Sequence, residues 1–381
     1  MDVSGTSARV DHETEWRARL AILVSGLLAF ETATGLMAYL LPFSLPTQFL
    51  LLVHTVAGLI FIVPYAWYQI RHWRVYRPAA MTHVKLTGYL SLAATAVCCI
   101  SGVVLTGQAL VSRRIDYTWD LVHIVATFAV IAFAVPHVLI LVFRRTRHQI
   151  QESPAAVAAA QRRFAWGVVS VNAVLFAGAG LWTLAYHPVR FGNAFPADYS
   201  FRYGADRPFA PSLARTATGG ALDARSLSDS RSCGTSGCHE EIVKEWEPSA
   251  HRYAAMDVAF QAVQTVMGKQ NGPESTRYCG GCHDPISLFS GTKNIFTEDL
   301  TGLAGYQDGV SCIACHAIKE TDVKGNANYL IAQPQRYAYE LKDGRTARFL
   351  RDFLIRAYPR HHVESLSHRL FKSPEFCAAC H

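Results

Sequence analysis

The stretch RYCGGCHDP places Cys279 and Cys282 two residues apart, with His283 directly after the second. In Cys-x-x-Cys-His the two thiols can form thioethers to the two vinyl groups of one haem, and the adjacent histidine coordinates its iron. The same spacing recurs as Cys312, Cys315 and His316 in CIACH and as Cys377, Cys380 and His381 in CAACH. A looser version, CGTSGCH, puts four residues between Cys233 and Cys238 before His239. Eight of the ten cysteines belong to these clusters, which leaves only Cys98 and Cys99, inside an apolar run and read as packing residues. No disulfide framework can be built from that remainder. Zinc also takes Cys and His at short spacing, but a zinc site does not call for a histidine immediately after the second cysteine four times over. A thioredoxin-like redox site needs a βαβ pattern that the flanks lack. The motifs therefore predict four covalent haem c groups.

The elements that must carry these groups differ sharply between the two halves of the chain. Apolar runs long enough for a bilayer, about 20 residues each, occur at 18–41, 48–70, 86–110, 118–143 and 165–186. The first is preceded by charged residues and lacks a small-residue cleavage site, so it reads as an uncleaved anchor. Arg71, Arg74, Arg77 and Lys85 lie between the second and third spans, and Arg144, Arg145, Arg147, Arg162 and Arg163 between the fourth and fifth. The other two connections carry little charge: PFSLPT has none, and the loop between the third and fourth spans has Arg113, Arg114 and Asp116. Basic loops stay cytoplasmic, so the N-terminus is expected inside and everything after Tyr186 outside, the side on which c-type haem is normally attached. The net charge of +7 then reflects topology, and no nucleic-acid partner is inferred.

Ionisable groups inside spans are costly and mark function. His123 and His137 sit 14 residues apart on the fourth span, about 21 Å of helical rise on nearly one face. That suits one helix serving two stacked haem b groups. His54 on the second span lies at a depth matching His123, and LVHTVAG around it parallels LVHIVAT around His123; Gly58, one turn on, leaves room for a macrocycle. Opposite His137 the candidates are His72, five turns beyond His54 on the same face, then His83 and His12. His148 reads as interfacial. Glu31, mid-membrane on the first span, is a candidate proton acceptor from a quinol, or a neutral carboxyl bonded to a helix neighbour.

These histidines give the front half a resemblance to the di-haem cytochrome b subunits of respiratory formate dehydrogenases and hydrogenases. That family carries two ligand histidines 14 apart on its fourth helix and a partner on its second, which His123, His137 and His54 match. Its remaining ligand lies on the first helix, where this chain offers only His12, outside the apolar run. The resemblance implies two haem b and exchange with the quinone pool.

Past Tyr186 the chain is rich in Gly, Pro, Ser and Ala up to about Ser230, which reads as an extended segment with no core of its own that can pack along the next domain. The haem domain that follows shows short helical stretches and no strong strands, as expected where porphyrins supply much of the core. A haem that only carries electrons needs a second axial ligand, for which His251, His361, His362, His368 and His187 are candidates. Trp246, Ser249 and His251 in EWEPSAH, and His362 and His368 upstream of the last motif, resemble the multihaem family that includes tetrahaem carriers of nitrifiers and hydroxylamine oxidoreductase. In that family such upstream histidines are distal ligands to haems elsewhere in the fold. The choice between His361 and His362 stays open.

The expected architecture is all-α: a transmembrane di-haem b bundle (1–190), a linker (191–231) and an extracytoplasmic tetrahaem c domain (232–381). Because the chain stops on a haem ligand, His381, further sequence is expected after it. The leading functional expectation is electron transfer between the quinol pool and an extracytoplasmic acceptor, another cytochrome or complex subunit, by a protein of the inner membrane. One alternative is an oxidoreductase acting on a small nitrogen or sulfur compound at an open haem. A second is an anchor and relay subunit of a larger respiratory or photosynthetic complex.

Overall fold

The computed structural model describes residues 15–112, 114–144, 152–366 and 369–381; His12, Arg113, Arg145, Arg147, His148 and His368 lie outside the described residues. The chain forms two compact units, one of Met1–Pro188 with Tyr337–Ala357, the other of Val189–Arg336 with Tyr358–His381.

Five helices of the first unit are long and apolar enough to cross a membrane: α1 (Arg19–Leu40), α2 (Leu45–Tyr76), α3 (His83–Val111), α4 (Tyr117–Phe143) and α5 (Pro154–Ala185). Their outer faces are apolar, with Val63 73%, Val174 70% and Leu184 78% exposed, which is compatible with an integral membrane protein because only lipid tolerates so much uncovered hydrocarbon. α2 and α5 each run 32 residues, a rise of about 48 Å, well beyond the apolar runs at 48–70 and 165–186. Hydropathy detects only the lipid-immersed stretch, whereas the helix continues to its cap. In α2 the cap is a box in which Ser44 accepts from Thr47 N and Thr47 Oγ1 accepts from Ser44 N at 3.0 Å. In α5 Ser153 caps the start and Pro154 occupies the first turn.

α1 packs against α2 and α5, and α3 lies along α4. The α1–α5 crossing is built on small residues, as membrane helices require for close approach. A Cβ on Gly26 would stand 2.8 Å from Val171 Cβ, and one on Gly167 would overlap Ile22. Asn172 Nδ2 bridges the pair by donating to Gly26 O at 3.0 Å.

Residues Tyr337–Ala357, although they lie late in the chain, belong to this unit. Gln48, 1% exposed at the start of α2, accepts from Ala338 N at 2.7 Å. Tyr339 N donates to the Tyr186 hydroxyl at 2.8 Å, and Trp182 Nε1 donates to the Tyr339 hydroxyl at 3.0 Å. The rings of Trp182, Tyr186 and Tyr339 surround the fully buried Phe49 at 5.2, 5.3 and 6.2 Å. The segment continues as the amphipathic helix Arg345–Ala357, whose Arg356 donates to Leu110 O at 3.2 Å and accepts from Ile115 N at 3.2 Å. At about 1 kcal/mol per hydrogen bond, these ties hold the segment on the α3–α4 and α1–α2 turns.

The second unit is mostly short helices with a small sheet: β1 (Arg215–Thr216), β2 (Ile318–Thr321) and β3 (Tyr329–Ile331). β3 is central, parallel to β1 and antiparallel to β2. The Gly/Pro/Ser-rich segment before the first haem motif contributes Phe209, Ala214, Leu222 and Leu227 to the core beside Ile286, Phe289, Ile313 and Tyr329. The contacts are made by isolated apolar residues rather than by a periodic face.

Candidate haem centres

In the second unit each Cys-His motif lies on or beside a helical turn. Cys279, Cys282 and His283 occupy the helix Arg277–His283, and Cys312, Cys315 and His316 the helix Cys312–His316. At the last motif His381 N donates to Cys377 O at 3.0 Å, four residues back. The first motif, despite two extra residues, closes the same way: His239 N donates to Cys233 O at 3.0 Å. The surplus is looped out by left-handed backbone at Ser236 (φ 57°) and Gly237 (φ 74°), a conformation glycine adopts without penalty. The looser CGTSGCH thus presents its first cysteine and histidine as a regular motif does.

The motifs converge. Cys233 lies beside Cys312, and Cys282 beside Cys380. Between them Tyr329 is 2% exposed, its hydroxyl donating to Gly281 O at 2.6 Å, and burial pushes its pKa well above the usual tyrosine value. A Cβ on Gly281 would overlap Ala327 and Ser212, so the CGGCH turn meets the strand connection at backbone distance.

Two imidazole pairs face one another here. His239 and His362 stand with ring centroids 6.1 Å apart and planes 15° from parallel, and His251 and His381 are also 6.1 Å apart, at 64°. A metal–imidazole nitrogen bond is about 2 Å long and the ring centre lies about 1 Å behind that nitrogen, so two rings across one metal stand about 6 Å apart. Ser249 caps the helix bearing His251, while Trp246 Nε1 donates to Val310 O at 3.0 Å and Val310 N to His251 O at 2.9 Å. The Trp246–Ser249–His251 pattern therefore fastens His251 to the approach of the third motif.

The other second-unit histidines have different surroundings. His283 stacks on Phe260 at 4.5 Å, its Nδ1 3.3 Å from Ala254 O. His316 holds Leu366 O through Nδ1 at 2.7 Å and packs on Phe371. His361 Nε2 is 2.8 Å from Gln335 O and its Nδ1 3.4 Å from the Ser365 hydroxyl, which separates it from His362, the one that faces a motif histidine. His187 is exposed just past α5 in the first unit.

Among the bundle helices, His54 of α2 and His123 of α4 face each other at 6.2 Å, planes 85° apart. Each has its Nδ1 held from another helix. His54 Nδ1 lies 3.0 Å from Glu31 Oε2 and 2.9 Å from Thr34 Oγ1, both on α1. His123 Nδ1 lies 2.9 Å from Ser101 Oγ and 3.1 Å from Cys98 O, both on α3. That leaves Nε2 of both rings free of these contacts, the arrangement outer-sphere partners give a metal-bound imidazole. A Cβ on Gly35 would stand 3.4 Å from the His54 ring, and one on Gly102 3.2 Å from that of His123; small residues back both rings.

His137 is held likewise, Nδ1 3.0 Å from Val84 O and 3.4 Å from Thr87 Oγ1, with Gly88 against the ring. It shares a cavity of about 470 Å³ with His72, bordered by Arg17, Arg77 and Lys85 and lined by Tyr65, Tyr68 and Leu92. His83, exposed at the first turn of α3, is outside that lining. Gly58, expected to make room for a macrocycle, has the Glu31 carboxylate 3.0 Å from its Cβ position. Cys98 Sγ packs 3.6 Å from Thr127 Oγ1. The Nδ1 partners Thr34, Ser101, Val84 and Thr87 were not singled out from the sequence; hydroxyls and glycines on a histidine-facing helix face are the signal that would have found them.

Residues 232–317 match the family described as cytochrome c554 and c-prime. No curated protein and no solved structure matches the chain. The family match supports a multihaem c-type cytochrome that carries electrons and binds haem c.

Proposed function

We propose that this protein is a membrane electron carrier linking the quinol pool to an extracytoplasmic acceptor through two b-type and four c-type haems. The observation that carries the reading is the pair His54 and His123, facing at 6.2 Å with both Nδ1 atoms held from neighbouring helices. His137 and His72, across their shared cavity, hold the second b haem, with Arg17, Arg77 and Lys85 at its border suited to the propionates. The four Cys-His motifs hold the c haems, two of which take His362 and His251 as second ligands.

Bound haem iron changes charge by one electron at a potential set by ligands, hydrogen bonds and burial. This chain's residues fix ring orientation through Nδ1, keep water from the ligand nitrogens with apolar helix faces, and keep the covalent sites close to one another. The basic residues between α2 and α3 and between α4 and α5 support this reading with the N-terminus in the cytoplasm and the haem c unit outside.

A direct test mixes the oxidised, detergent-solubilised full chain with duroquinol and follows the b and c α-bands. Reduction of b, followed by c, is expected, with c reduction at least about tenfold slower in His123→Ala. Equal c reduction rates in the two proteins would refute the route through the bundle.

A further inference from the structure

Glu31 is the acidic residue within α1, and its partner is unusual among the bundle histidines. His123 and His137 direct Nδ1 to neutral oxygens, the Ser101 hydroxyl and Cys98 carbonyl for one, the Val84 carbonyl and Thr87 hydroxyl for the other. His54 directs Nδ1 to a carboxylate at 3.0 Å. The Thr34 hydroxyl already donates to Phe30 O at 2.7 Å, so toward His54 it serves as an acceptor beside Glu31. Packing holds the carboxylate in place: the Gly58 Cβ position is 3.0 Å from Oε2, and Oε1 is buried without a hydrogen-bond partner. An ionisable group kept at that depth with one oxygen unsatisfied points to function.

We propose that Glu31 is a positioning residue that, through His54, lowers the reduction potential of the haem b held by His54 and His123. The inference rests on the haem b assignment given under Proposed function. A ligand imidazole whose Nδ1–H is accepted by a carboxylate is a more basic donor at Nε2, and a more basic donor favours ferric over ferrous iron. The device acts on one b centre, so the two b haems are set apart in potential by a single side chain from a third helix.

The test is a redox titration of the b α-band in the full chain, wild type against Glu31→Gln, with acid-extractable haem counted in both. Gln keeps the shape and an accepting oxygen and removes the carboxylate. The expected result is unchanged b haem content with one b midpoint moved upward and the other unmoved. Full b content with both midpoints unmoved overturns the inference while leaving the haem assignment intact. A wild type without extractable haem overturns the assignment itself and the inference with it. If Glu31→Gln loses the haem, Gly58→Ala decides: a methyl 3.0 Å from Oε2 makes the carboxylate give by a few tenths of an ångström, and the same midpoint must move while the other does not; if it stays put, the inference fails.

Discussion

His123→Ala reduces acid-extractable haem from two per chain to one or none and leaves the covalent haem at four. The imidazole it deletes faces His54 at ligand distance, 6.2 Å between ring centres. With alanine there, the Ser101 hydroxyl and Cys98 carbonyl lose their partner, and a b haem would keep one axial ligand instead of two. Two bonds of a buried bis-imidazole site do not fail independently, because the retained His54 cannot recentre while Glu31 and Thr34 fix its Nδ1. The cysteines proposed to hold the c haems belong to the other unit, so covalent haem is expected not to change. Pyridine haemochrome spectra before and after acid–acetone extraction read both numbers, and an unchanged b content would remove His123 from the site.

The Cys279→Ala/Cys282→Ala double substitution lowers covalent haem from four to three per chain and destabilises the second unit. Both thioethers of one haem are removed, so denaturing gel haem stain and intact mass should fall by one haem. The mechanical consequence follows from where Cys282 sits. It packs against the main core and lies beside Cys380 of the last motif, while Tyr329 is anchored on Gly281 between the two cysteines. Emptying a site that supplies core volume costs several kcal/mol in a unit with few long helices, so the thermal transition should fall by many degrees. Cys98→Ser/Cys99→Ser is the control, since neither residue belongs to a motif; it should leave covalent haem at four.

The Cys-His motifs were legible because they are local: each fits inside five to seven consecutive residues. The five spans were legible because length and hydropathy are local too. What could not be read was whatever depends on distant partners. His239 meets His362 and His251 meets His381 across more than a hundred residues, and nothing in either neighbourhood encodes the other. The return of Tyr337–Ala357 to the bundle was hidden for the same reason, since its anchors are one buried glutamine and an aromatic cluster around Phe49. Among the bundle histidines, facing positions followed from helical periodicity, which put His123 and His137 on one face and His54 at a matching depth. His72 was preferred over His83 from its spacing to His54, and the cavity is compatible with that: His83 begins a helix at the surface, whereas His72, a turn inside the end of α2, lines the space beside His137. The role of Glu31 toward His54 was out of reach because helix pairing, not sequence spacing, brings α1 to α2.

The measurement that bears most directly on the account is the haem inventory of the purified wild-type chain, covalent and acid-extractable haem counted separately per polypeptide. Four covalent and two extractable haems are expected. Four covalent haems with none extractable would contradict the account, reducing the bundle to an anchor and removing the route from quinol to the c haems.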